Sequence, residues 1–142
     1  MRSESDLERF VEAQEPVYEA VRQELSAGRK ASHWMWFVFP QLRGLGRSAT
    51  AQHYGIASAT EAAEYLAHPV LGAHLVECTG LVLAVPGRSA HAIFGTPDDM
   101  KFRSSMTLFA SVAPAGSLFD QALARFFAGQ PDPLTERLLR QA

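Results

Sequence analysis

The chain has 142 residues, 47% of them hydrophobic and 20% charged, with a formal net charge of −2. That length predicts one domain with a real core, and the lack of a basic excess excludes a general nucleic-acid binder. The single cysteine, Cys78, excludes an intramolecular disulfide and a cysteine-rich zinc site.

Residues 1–14 carry acids and no apolar core, so they do not read as a signal peptide. No apolar run approaches the roughly 20 residues of a membrane span, and the cytoplasm is the expected compartment. Ser5 and Glu8 frame a capping box, followed by Leu7, Phe10 and Val11 at helical spacing. Pro16 opens a second helix, with Val17, Val21 and Leu25 on one face and Gly28 as its stop. The glutamates on the outer faces of these two helices read as solvated.

Residues 32–46, SHWMWFVFPQLRGLG, are the densest apolar stretch. As a helix this segment has no polar face and must be surrounded by protein. A short apolar run fits a buried strand as well; the helical neighbours favour a central helix ended by Pro40. His33 and Gln41 flank the aromatic run, and Trp34 and Trp36 each carry an N–H that needs an acceptor. The run is either a plain core element or a pocket wall of rings with polar ends.

Residues 48–54 form a short helix or turn, and Ser58 and Glu61 frame a second capping box. His68 caps or turns before Pro69, which starts a long helix. In it Leu71, Leu75, Cys78, Val82 and Val85 make a core stripe. Cys78 in that stripe reads as a small buried hydrophobe, not a nucleophile. A turn over residues 89–94 ends at Gly95. Thr96, Pro97, Asp98 and Asp99 then start a helix that runs to about Val112. Two more helices follow, one from Ser117 to Gly129 and one starting at Asp132-Pro133. The expected fold is all-α, a single globular multi-helix domain over residues 1–142, with seven to nine helices packed around the aromatic helix.

At about 100° per residue, the helix after Pro97 places Lys101 and Ser105 inside the arc held by Phe102, Met106, Leu108, Phe109 and Val112. Lysine is rarely buried unless paired. Either Lys101 snorkels outward and Ser105 bonds its own helix, or the two form a cationic, hydroxyl-lined pocket floor. A serine–lysine pair can also be catalytic when the amine takes the hydroxyl proton, although anion binding is the simpler use. Ser104, Ser105 and Thr107 are donors that suit phosphate or carboxylate oxygens. His74 and Glu77 share a helix face, but no second such pair completes a carboxylate metal site. No metal and no cofactor are expected.

Four segments, HWMWFVFPQLRGLG, YGI at residues 54–56, EYLAHPVLG at 64–72 and DDMKFRSSMTLF at 98–109, together resemble domain-of-unknown-function family 1810. The resemblance implies a small, bacterial, all-helical protein and no established activity. A calpastatin label attached to some members has no support in these residues. The family pattern places its polar residues at His33, Gln41, Tyr54, His68, Lys101, Ser104 and Ser105. His74 departs from it, standing where an arginine is expected.

The functional expectation is binding, and at most hydrolysis or transfer, of a small anionic metabolite such as a nucleotide derivative. Lys101 would neutralise charge, Ser104 and Ser105 would donate hydrogen bonds, and Trp34 or Trp36 would stack on a ring. His33 would be the acid–base, with Lys101 and Ser105 beside it as catalytic candidates; Gln41 and Tyr54 would complete the ligand shell. The rival is an interaction module that docks a protein through its aromatic segment or C-terminal helices. No nucleic-acid or membrane partner is expected, and nothing in the sequence sets an oligomeric state.

Overall fold

Start and stop signals translate directly into elements in the computed structural model, which describes residues 6–141. Among them are ten helices rather than seven to nine: α1 (Glu8–Gln14), α2 (Tyr18–Ser26), α3 (Met35–Val38), α4 (Ala49–His53), α5 (Ala59–Ala67), α6 (Leu71–Ala84), α7 (Ala90–Phe94), α8 (Asp98–Ala110), α9 (Leu118–Phe127) and α10 (Pro133–Gln141). The architecture is all-α and a single domain. The described residues contain no strand, only one parallel bridge between Leu42 and Ile56. No single helix among them is long and apolar enough to cross a membrane.

Caps are where the sequence placed them. Ser58 Oγ accepts from Glu61 N at 3.2 Å, while the Glu61 carboxylate takes Ala57 N at 2.7 Å. Ser48, Ser89 and Ser117 cap α4, α7 and α9 in the same way. His68 Nδ1 accepts from Val70 N and Leu71 N, closing the start of α6. Gly28 sits past the end of α2 at φ +76°. Two details differ. Ser5 of the first capping box lies outside the described residues. The Thr96 hydroxyl meets His91 Nδ1 at 3.1 Å instead of capping α8, whose N-cap is Pro97.

The predicted stripe of α6 is fully inside, with Leu71, Leu75, Cys78, Val82 and Val85 all buried. The helix packs on α2, α5 and α9. The most enclosed helix is α8, which meets α5, α7, α9 and α10. Phe102 and every residue from Ser104 to Phe109 are buried in it. A helix ringed by neighbours needs no polar face, so its hydroxyls go inside with the rings. Thr107 Oγ1 returns its proton to Arg103 O at 2.8 Å.

The aromatic segment is central, but its helix is one turn only, Met35–Val38. Beyond it the chain runs extended, with Ile56 N donating to Gln41 O at 2.9 Å and Arg43 N to Ile56 O at 2.7 Å. The two tryptophans part company here. Trp34 is 1% exposed, whereas Trp36 is half-buried. Phe39 meets Phe94 and Phe102 edge-on, at 5.9 and 5.1 Å between centroids.

Candidate functional site

A cavity of about 440 Å³ opens between the aromatic segment, α8 and the start of α10; Trp36, Gln41, Arg47, Lys101, Ser104 and Asp132 line it. A narrow niche behind it shares Trp36, Gln41 and Lys101 and ends on Tyr54. Met100 and Leu134, exposed at 48% and 43%, give the cavity apolar lining.

Each polar group is positioned by a distinct local device. Trp36 rides on the single turn of α3. Its neighbour's carbonyl, Phe37 O, is pinned by Gln14 Nε2 at 2.6 Å and by the Tyr65 hydroxyl at 3.3 Å. Gln41 is held by the backbone bonds to Ile56. Lys101 lies in the first turn of α8 with its ammonium 4.6 Å from the Trp36 ring centroid, a cation–π contact worth about 0.5–2 kcal/mol. Its ion-pair partner, Asp98 Oδ1, is 3.7 Å away. Lys30 already holds the other oxygen of Asp98 at 2.8 Å, so one carboxylate serves two ammonium groups. Ser104, one turn after Lys101, has Oγ 3.2 Å from Met100 O and 3.3 Å from Asp132 Oδ2.

Asp132 caps α10. Its Oδ2 accepts from Thr135 N at 3.0 Å and from Thr135 Oγ1 at 2.6 Å, and its own N–H donates to Thr107 Oγ1 at 2.8 Å. Arg103 fixes the preceding loop by donating to Gln130 O and Pro131 O.

Several lining groups have no partner among the described residues. The Gln41 carboxamide, the Trp36 indole N–H, the Tyr54 hydroxyl and the Arg47 guanidinium make no hydrogen bond or ion pair to any of those residues. None of these atoms is sealed from solvent; the buried side-chain atoms that lack a partner are Thr79 Oγ1 and Ser105 Oγ. Polar groups left open in this way are free to meet a ligand.

Five of the residues singled out in the sequence therefore converge here: Trp36, Gln41, Tyr54, Lys101 and Ser104. Three do not. His33 is exposed before the turn of α3 and lies outside the lining. Trp34 points into the core and donates its N–H to Glu24 Oε1 at 2.9 Å. Ser105 is fully buried, its hydroxyl has no partner among the described residues, and it lines neither the cavity nor the niche. The apolar arc of α8 holds Ser105 but not Ser104; with neighbours on all sides of the helix, that arc does not mark the cavity side, and of the two expected donors Ser104 lines the cavity. Arg47, Asp132, Met100 and Leu134 also line the cavity, and no periodicity or motif marks them for it; Asp132 reads in the sequence as a helix start.

The His74–Glu77 pair serves packing. The His74 ring stacks on Tyr18 at 3.6 Å and its Nδ1–H donates to Gln14 Oε1 at 2.7 Å. Burial depresses the His74 pKa, with the Glu77 charge acting weakly against that. Glu77 accepts from the Tyr18 hydroxyl and from Arg22 Nε. The hydrogen bond from Tyr18 first, and then Arg22, hold its carboxyl below the usual range. Cys78 lies beneath, and burial pushes its thiol up to about 12.

Among solved structures, the conserved hypothetical protein Rv1873 from Mycobacterium tuberculosis is 58% identical to this chain. It superposes with a TM-score of 0.93 over 95% of this chain and 96% of its own. No curated protein matches. The model of the family described as protein of unknown function DUF1810 matches residues 4–139. With nearly the whole chain covered and the same fold in a close relative, this protein belongs to that family.

Proposed function

We propose that this protein binds a small anionic metabolite with a planar ring, such as a nucleotide derivative, in the cavity lined by Trp36, Gln41, Arg47 and Lys101. The observation that carries the reading is the convergence of unpartnered groups. Two cations, one of them sharing the Asp98 carboxylate with Lys30, line the cavity with the Trp36 ring and with a Gln41 carboxamide that has no hydrogen-bond partner among the described residues, and the Tyr54 phenol closes the niche beside it. Lys101 and Arg47 would neutralise the ligand's charge, Trp36 would pack on its ring, and Gln41 and Ser104 would orient it.

Binding is favoured over catalysis. Of the catalytic candidates His33, Lys101 and Ser105, Lys101 lines this cavity and the other two do not. The docking alternative finds less support. The large exposed apolar side chains among the described residues are Val70, Val76, Met100 and Leu134, none aromatic, and the rings of the aromatic segment are buried or half-buried. The lone buried thiol suits a reducing compartment, and the cytoplasm is part of the same proposal.

The test is a thermal-shift screen of nucleotides and sugar phosphates against the parent and Lys101→Met. A ligand that binds only the native state raises its melting temperature by mass action. The expected result is a shift in the parent that Lys101→Met loses. Equal stabilisation of both proteins would rule out Lys101 as the anion contact.

A further inference from the structure

We infer that the ligand of this cavity is a ribonucleoside 5′-phosphate, and that Asp132 reads its ribose hydroxyls; this rests on the anion-binding reading above. The puzzle is a carboxylate among the lining groups of a site that carries two cations. Like charges repel, so Asp132 disfavours any anion that simply fills the space.

One oxygen of Asp132 is spent within the fold. Oδ2 takes the Thr135 N–H and hydroxyl and lies within reach of Ser104 Oγ. Oδ1 has no donor among the described residues and is not sealed off. An ionised carboxylate is acceptor-only, so Oδ1 calls for neutral donors from the ligand. The capping hydrogen bonds alone do not require the charge, because asparagine makes them equally well; the helix dipole favours it only modestly. Vicinal hydroxyls are donors of the right kind, and an acidic side chain on a ribose hydroxyl is a general solution in nucleotide sites.

The remaining walls complete the molecule. Arg47 and Lys101 suit a phosphate. Gln41 offers a donor and an acceptor in one plane, which matches the amidine edge of a base. Trp36, Pro97, Met100 and Leu134 supply apolar packing for it. The volume of about 440 Å³ lies within the usual range for organic ligands and far exceeds inorganic phosphate.

The experiment is calorimetric titration with AMP, 2′-deoxy-AMP, ribose 5-phosphate and phenyl phosphate, on the parent, Asp132→Asn and Lys101→Met. In the parent, AMP is expected to bind at least about tenfold tighter than 2′-deoxy-AMP, the discrimination of a site built to bond a hydroxyl. In Asp132→Asn the cap is retained, so the melting temperature holds. The free acceptor can be replaced by an amide donor, and the ribose preference falls to within about twofold. The parent ratio needs no variant, so a misfolded Asp132→Asn does not spare the inference. Equal affinity for AMP and 2′-deoxy-AMP in the parent would overturn it. If phenyl phosphate then still binds the parent and fails on Lys101→Met, the anion site stands and only the ribose assignment falls. If none of the four binds, both fall.

Discussion

The Trp34 indole donates to the Glu24 carboxylate at 2.9 Å across the α2–α3 corner. The same carboxylate accepts from Ala31 N, Ser32 N and Ser32 Oγ, at 2.7, 3.0 and 2.6 Å. One side chain therefore satisfies the chain's entry into the aromatic segment and turns Trp34 inward. Burial alone would raise the Glu24 pKa, but the hydrogen bonds from Ser32, Ala31 and Trp34 together hold it below the usual value. Glu24→Ala leaves those donors unmet and should cost about 1–3 kcal/mol. Equilibrium urea unfolding measures it, and a loss within error of zero would mean that water replaces the carboxylate.

The tryptophans should differ in the same experiment. Trp34→Ala removes a fully buried aromatic and should cost about 3–5 kcal/mol. Trp36→Ala should cost clearly less, because Trp36 is only half-buried beside Lys101 and the cavity. Equal losses would place Trp36 in the core and remove it from the cavity wall.

Two glycines of α6 make a matched pair. A Cβ on Gly72 would lie 2.0 Å from Leu66 O, a backbone atom, whereas one on Gly80 meets nothing within 4 Å. Gly72→Ala must push α5 and α6 apart, at or above the roughly 1–3 kcal/mol of overpacking. Gly80→Ala should stabilise by about 0.4–1 kcal/mol, by restricting the unfolded chain. Thermal denaturation of the two variants reads both signs.

Alkali should unfold the protein early. Burial holds Cys78 protonated up to about 12 against an ordinary 9.0, and burial likewise raises Tyr65 and Tyr18. The folded state keeps protons that the unfolded chain releases. This stability is complete below pH 9 and declines as pH rises toward 12. Cys78→Ala should flatten the decline, and a thiol reagent at pH 8 should label the parent only as it unfolds. Rapid native labelling would contradict the burial.

The acid limb has the opposite sign. His74 is held neutral by burial, below its ordinary 6.5, so the unfolded chain takes up a proton first. Its contribution is present above about pH 6.5 and is lost as pH falls below that. His74→Gln should show a smaller drop in melting temperature between pH 7 and pH 5 than the parent. An identical drop would assign the acid sensitivity elsewhere.

The sequence by itself determined most of the helices and their ends, though not the single turn of the aromatic segment. Caps, prolines and a 3.6-residue period act within one or two turns, so Ser58, His68, Gly28 and the Cys78 stripe could be read without knowing the fold. It also marked Lys101, Gln41 and Trp36 as polar or aromatic groups in unusual places and Ser104 as a donor, while Tyr54 came from the family pattern. Only the tertiary structure decided which of them meet. Whether Trp34 or Trp36 faces the core depends on Glu24, a residue of another helix. Whether Ser104 or Ser105 lines the cavity depends on the neighbours that surround α8. Asp132 enters the site because Thr107 and Arg103, some 25 residues earlier, anchor its loop. Contacts between residues so far apart in the chain leave no periodicity behind, and a cavity made of them is a property of packing alone.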